Sequence, residues 1–194
     1  MGDYTDIAKL VLKEHEQVLL DVREEEVEQL LNAIVEANRV QVFGMGRMKS
    51  AVRAFVMRLM HMDLDAHVVF DTTCPNLRHG DLLIVNCACT TIGYTVMVLA
   101  KKTGAKIAAI TANPNSKAAG LCDYILNLRG QVHGGRDYEI PSVQPMAALF
   151  EQTIFVLEDI LIQLLMKKLN ITAEEMAKKH VNLDGYMEFN IDEE

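Results

Sequence analysis

Five short apolar runs alternate with helical stretches along the middle of this chain, and that alternation leaves few architectures open. The runs are Val40–Phe43, Ala66–Phe70, Leu82–Val85, Lys106–Thr111 and Tyr124–Leu128. After the first, a stretch rich in Ala, Met, Val and Leu reads as a helix reaching Met62. Thr91 to Thr103 is helical and stops at Gly104, and Asn113-Pro114-Asn115-Ser116 opens a short helix. Short apolar strands alternating with helices predict a parallel sheet covered on both faces. The expected fold is α/β and flavodoxin-like: a three-layer α/β/α arrangement around a five-stranded parallel sheet, with further helices at both ends of the chain.

The flanks read differently. Ile7, Leu10, Val11, Val18 and Leu19 recur mostly at helical spacing, and Val27, Leu30, Leu31, Ile34 and Val35 repeat the pattern. Residues 1–38 are therefore a helical extension ahead of the 39–129 core. Arg129 to Gln144, with three Gly, Pro141 and mixed charges, is a long loop, a kind of segment that is often functional. A long helix runs from Pro145 to about Lys168. Thr172 with Glu175 three residues on forms a capping box for a last short helix, so 145–184 is C-terminal and helical. The remaining tail is acidic. All 194 residues are expected to make one domain.

Charge narrows the partners. Nineteen Lys and Arg against 27 Asp and Glu leave a net charge of −8, the wrong sign for duplex nucleic acid. A small phosphate ester in a local pocket is still compatible. No apolar run approaches the ~20 residues that span a bilayer, and the N-terminus carries acids early, so no membrane partner and a cytoplasmic location are expected.

In an open parallel sheet, ligands bind beyond the carboxyl ends of the strands, where strand order reverses. Gly44-Met45-Gly46-Arg47-Met48-Lys49-Ser50 follows the first strand, and Asn86-Cys87-Ala88-Cys89-Thr90-Thr91 follows the third. Each joins a strand to a helix N-terminus, which favours an anion, and Arg47 and Lys49 add positive charge. The first loop is neither a dinucleotide fingerprint nor a Walker A motif. Cys87 and Cys89, one residue apart, point in opposite directions if extended, and no second spaced pair completes a metal site. No metal or cofactor is expected. The cluster Met45, Met48, Met57, Met60 and Met62 points to core or subunit packing.

These segments carry a resemblance. Gly44-Met45-Gly46-Arg47 with Ala54-Phe55-Val56-Met57-Arg58-Leu59-Met60-His61 resembles the sugar isomerase (SIS) domain family. The similarity continues through Thr72-Thr73, Gly80-Asp81-Leu82-Leu83-Ile84 and Ala109-Ile110-Thr111-Ala112-Asn113-Pro114. At Ser142-Val143-Gln144-Pro145-Met146, Leu149-Phe150-Glu151-Gln152 and His180-Val181-Asn182-Leu183 it is specific to the 6-phospho-3-hexuloisomerase branch. The resemblance implies a metal-free homotetramer that interconverts 3-hexulose 6-phosphate and fructose 6-phosphate. An enediol reaction needs a base, a group that polarises the carbonyl, and a grip on the phosphate.

The resemblance makes Glu151 the candidate base, one turn into a long helix where a pocket would desolvate it. His180 is the candidate proton shuttle or carbonyl polariser, with reach toward a neighbouring subunit, and His61 is a further catalytic candidate. Gly46, Arg47, Met48, Lys49, Cys87, Cys89, Thr90 and Thr91 are the candidate phosphate and substrate contacts. The loops depart from the family: Met48 and Lys49 end a loop that usually reads Gly-Arg-Ser-Gly. Cys87-Ala88-Cys89-Thr90-Thr91-Ile92 stands where the family has Ser-Gly-Ser-Gly-Glu-Thr. Thiols are poorer donors than the hydroxyls they replace, so charge from Lys49 and hydroxyls from Thr90, Thr91 and Thr95 would have to compensate. Two other functions fit the same residues: a phosphosugar-binding regulator without catalysis, and an isomerase for a different sugar phosphate.

Overall fold

A computed structural model of the chain describes residues 2–86 and 91–181. Two helices, α1 (Asp3–Leu20) and α2 (Glu24–Glu36), precede strand β1 (Val40–Phe43) and helix α3 (Met48–His61). Strands β2 (Ala66–Val68) and β3 (Leu82–Asn86) follow, then helix α4 (Thr91–Lys101) and strand β4 (Lys106–Thr111). A 3-10 turn at Ala119–Leu121 leads to β5 (Tyr124–Asn127), and the long helix α5 (Ala148–Leu169) and short α6 (Ala173–Ala177) complete the described chain. The five strands form one parallel sheet in the order β2-β1-β3-β4-β5. Strand order therefore reverses between β1 and β3, as expected for a doubly wound sheet.

Side-chain alternation divides the core between the two faces of the sheet. Val40, Val42, Leu82, Ile84, Ala108 and Ile110 face the larger core, which α2, α3 and α5 cover together with Val18 of α1. Leu83, Val85, Ile107 and Ala109 face the smaller core with Met97 and Ala100 of α4. The central strand β3 is buried along its whole length, which requires cover on both sides.

Several element boundaries differ from the sequence reading, two of them at a residue with positive φ. Strand β2 stops at Val68 rather than Phe70, because Phe70 turns to φ +69° and leans edge-on against Phe43 at 5.9 Å. Only the 3-10 turn Ala119–Leu121 forms where a helix was expected after Asn113-Pro114. Helix α5 begins at Ala148 instead of Pro145, because Met146 sits at φ +60°, outside the right-handed helical region. The capping box at Thr172 is present: its hydroxyl accepts from the Glu175 N–H while the Glu175 carboxylate accepts from the Thr172 N–H. The acidic tail and Cys87–Thr90 lie outside the described residues. Among the described residues no helix is long and apolar enough to cross a membrane.

Candidate active site

At the carboxyl edge of the sheet, the turn after β1 passes through Gly46 at φ +57°, a left-handed conformation natural to glycine. It delivers Arg47 to the N-cap position of α3. Glu151 arrives from the first turn of α5. The Arg47 guanidinium donates to the Glu151 carboxylate at 3.1 Å, joining groups 104 residues apart in the chain. The two side chains differ in exposure, 62% for Arg47 against 20% for Glu151, so the carboxylate is sheltered and the guanidinium reaches outward. Around them is a cleft of about 690 Å³ lined by Gly46, Met48, His133, Arg136, Met146 and Glu151 among others. That volume suits a small organic ligand.

The loop before α5 is built to hold Glu151 in place. Buried Glu14 of α1 accepts three bonds from it: the Ser142 hydroxyl at 2.7 Å, the Val143 N–H at 2.8 Å and the Gln144 amide at 2.9 Å. Burial opposes this carboxylate's charge, yet the bonds from Gln144, Ser142 and Val143, with His15 nearby, hold it below the usual carboxylate range. The Gln152 side-chain amide then donates to Gln144 at 2.8 Å, tying the loop to the residue after Glu151. The Thr153 hydroxyl donates to the Leu149 carbonyl at 2.7 Å, so its 2.8 Å contact with His15 Nδ1 is one in which the imidazole donates. Gly130 lies against the first turn of α5, where a Cβ would come within 3.1 Å of the Phe150 Cα. A side chain there would require the helix backbone to give by a few tenths of an ångström.

Farther along the loop, buried Glu139 accepts from the backbone N–H groups of Val132 and Arg136, both at 3.1 Å. This folds the loop so that His133 and Arg136 line the cleft. The sequence reading marked the loop and passed over these two residues. The available signal was a histidine and an arginine flanking Gly134-Gly135, both glycines at positive φ.

The other candidates fall elsewhere. Met48 lines the cleft but is otherwise buried in the core. Lys49 turns away to pair with Asp71 at 3.3 Å, a carboxylate that Arg53 also holds at 3.3 Å, and it does not line the cleft. Cys87, Cys89 and Thr90 lie outside the described residues, as does the side chain of Thr91.

His61 and His180 meet each other rather than Glu151, with ring centroids 5.6 Å apart. His61 closes α3 and Arg47 opens it, so the helix's own length separates them by about 20 Å. The two histidines share a second cavity, about 500 Å³, with Arg58, Asp159, Gln163 and Met176. Burial first, then the charges of Arg58 and His180, lower the His61 pKa and favour its neutral imidazole. The described chain thus carries two sites at opposite ends of α3, one with the carboxylate and arginine and one with the histidine pair.

No protein-family model matches the chain. A 3-hexulose-6-phosphate isomerase of Mycobacterium gastri is 38% identical over 184 residues, which cover 94% of this chain and 92% of the relative. One of Bacillus subtilis is 31% identical over 182 residues, covering 93% of this chain and 98% of the relative. The chain therefore belongs to the SIS-domain family of phosphosugar isomerases. Within that family it is similar to proteins named for one ketose phosphate reaction. A crystal structure from Methanococcus jannaschii, for which a 3-hexulose-6-phosphate isomerase function has been inferred, superimposes with a TM-score of 0.78 at 28% identity. It covers 92% of this chain and 99% of its own. The Vibrio vulnificus NanR protein, complexed with ManNAc-6P, shares the fold at 15% identity and a TM-score of 0.67, covering 92% of this chain and 67% of its own.

Proposed function

We propose that this chain is an isomerase of 3-hexulose 6-phosphate and fructose 6-phosphate. The carrying observation is the Arg47–Glu151 pair at the mouth of a ligand-sized cleft on the carboxyl edge of the sheet. Moving the carbonyl from C3 to C2 requires a base to take the C2 proton while the C3 oxygen gains one. The resulting enediol gives up the O2 proton as C3 is reprotonated. A sheltered carboxylate suits the carbon-to-carbon transfer, and Glu151 takes that role. Arg47 suits the phosphate: an incoming dianion competes for its guanidinium and releases Glu151 from the pair. Arg136 adds a second cation on the cleft wall, and His133 is a cleft group able to serve the oxygens.

His180 and His61 lie too far from Glu151 to act on the same substrate within one protomer. If they take part in turnover, they do so across a subunit boundary. The chain works as one SIS unit in a cytoplasmic homotetramer, an assembly supported by apolar groups left exposed on three helices. These are Ile7 and Leu10 of α1, Met57 and Met60 of α3, and Phe155, Val156 and Ile160 of α5.

The test is a coupled assay for fructose 6-phosphate formed from 3-hexulose 6-phosphate, with Glu151→Gln beside the wild type. The variant is expected to lose turnover and keep its fold. Near-normal turnover in the variant would remove Glu151 as the base. A folded wild type that binds the sugar phosphate without turning it over would instead be a phosphosugar-binding regulator.

A further inference from the structure

Seven residues beyond Glu151, α5 turns a second glutamate into the protein, where the isomerase reading gives it nothing to do. Glu158 is 2% exposed and Asn86, the last residue of β3, is 1% exposed. The Asn86 amide donates to Glu158 Oε1 at 2.7 Å. Two oxygens are left over: Glu158 Oε2 and Asn86 Oδ1 are both buried, and both lack a hydrogen-bond partner among the described residues. Orphaned buried acceptors are costly, and here both belong to the two groups already joined by one bond.

A single proton resolves both. A carboxylate has only acceptors to offer, but a carboxylic acid presents one donor and one acceptor, the complement of a primary amide edge. Interchanging the amide oxygen and nitrogen leaves that requirement in place. We propose that Glu158 is a neutral carboxylic acid in the folded protein and closes an acid–amide ring with Asn86, as a positioning residue that locks α5 to the carboxyl end of β3. The ring's effect on Glu151 rests on the isomerase reading; the ring itself does not.

The surroundings agree. Burial, against the opposing bond from Asn86 and with Asp159 beside it, pushes the Glu158 carboxyl up to about 8. Charged groups on the elements packed around α5 meet other partners or line another cavity. On α3, Arg47 holds Glu151, Lys49 and Arg53 hold Asp71, and Arg58 and His61 line the histidine cavity. On α1, Glu14 binds the 142–144 loop and His15 meets Gln152 and Thr153. On α2, Glu26 accepts from the Asn127 N–H and Glu28 pairs with Lys168.

Infrared spectroscopy of protein made with carboxyl-labelled glutamate tests the ring without any activity assay. The wild type is expected to show a protonated-glutamate carbonyl band at neutral pH that titrates away with a midpoint near 8, and Glu158→Gln is expected to lack it. Absence of the band from the wild type, or its persistence in Glu158→Gln, would overturn the proposal. The wild-type spectrum decides even if the variant does not fold. Amide hydrogen exchange reads the positioning role. Above the midpoint, α5 of the wild type is expected to lose about tenfold in protection once intrinsic base catalysis is subtracted. Glu158→Gln, whose amide can pair with Asn86 without ionising, is expected to keep its protection. A wild-type helix with unchanged protection across the midpoint would refute the lock.

Discussion

Glutamine at position 14 is the most demanding test of how the candidate base is held. The Glu14 carboxylate faces three donors: Oε1 takes the Val143 N–H, and Oε2 takes both the Ser142 hydroxyl and the Gln144 amide. Glu14→Gln leaves an oxygen for Val143 but turns an NH2 group toward the other two donors. The Ser142 hydroxyl can rotate and accept instead, whereas the Gln144 amide nitrogen cannot. One bond to a charged acceptor is therefore lost outright and two are weakened, a cost of about 2 kcal/mol. In a chain of this size that lowers Tm by about 4–8 °C. Urea unfolding of both proteins measures the difference directly, and the pH dependence adds a check on its sign. The native Glu14 pKa is depressed below the 4.5 of an unperturbed glutamate, so its contribution is present above that value and lost as pH falls through the native one. The gap between the proteins should therefore close in acid. A loss below about 0.5 kcal/mol at neutral pH, or a gap that widens in acid, would show that the clamp does not hold the loop.

Three other outcomes follow from geometry already described. Arg47→Ala is expected to raise KM for the sugar phosphate at least tenfold, while Lys49→Ala, whose partner is Asp71, changes it by less than about twofold; the reverse order would move the phosphate site to Lys49. Glu158 has its pKa raised from 4.5 to about 8, so its contribution is complete below pH 4.5 and is lost as pH rises through 8. Wild-type stability should fall by about 4 kcal/mol from this group between those limits, and Glu158→Gln should lack that slope in urea titrations; parallel slopes would refute it. Phe155→Glu on the exposed face of α5 is expected to shift the proposed tetramer toward smaller sedimenting species, and an assembly unchanged by the substitution would place the interface elsewhere.

The sheet was legible because its signal is redundant. Each strand is a short apolar run closed by a turn, and each neighbouring helix repeats apolar residues at its own spacing. Ends set by one backbone angle were not legible: nothing in the composition of Phe70 or Met146 announces a positive φ, and those two residues ended β2 early and delayed α5. The site divided in the same way. Arg47 and Glu151 each sit beside a recognisable motif at a strand or helix end. His133 and Arg136 reach the cleft through a loop shaped by the buried carboxylate of Glu139, a long-range bonding pattern with no local periodicity. His61 and His180 were candidates by residue type, and His61 closes the fourteen-residue helix whose opposite end presents Arg47. Lys49 illustrates a related limit. Its charge was evident, but its pairing with Asp71 rather than the cleft depends on a residue beyond the next strand.

The seat of α1 has a consequence for how the protein comes into being. The polar bonds of this helix run to residues 128 to 138 positions later in the chain: Glu14 to the 142–144 loop, and His15 to Gln152 and Thr153. During synthesis the first helix leaves the ribosome long before its partners exist. For most of translation Val18, near the end of this helix and buried in the finished protein, lacks the α5 surface that completes its core. Sheet strands β1 to β5 can assemble in that interval, because each has its neighbours within the chain already made. Closure of the molecule therefore waits for α5, and a chain stalled or cut within the 129–144 loop would release the strands with one face of the sheet uncovered and α1 unsecured.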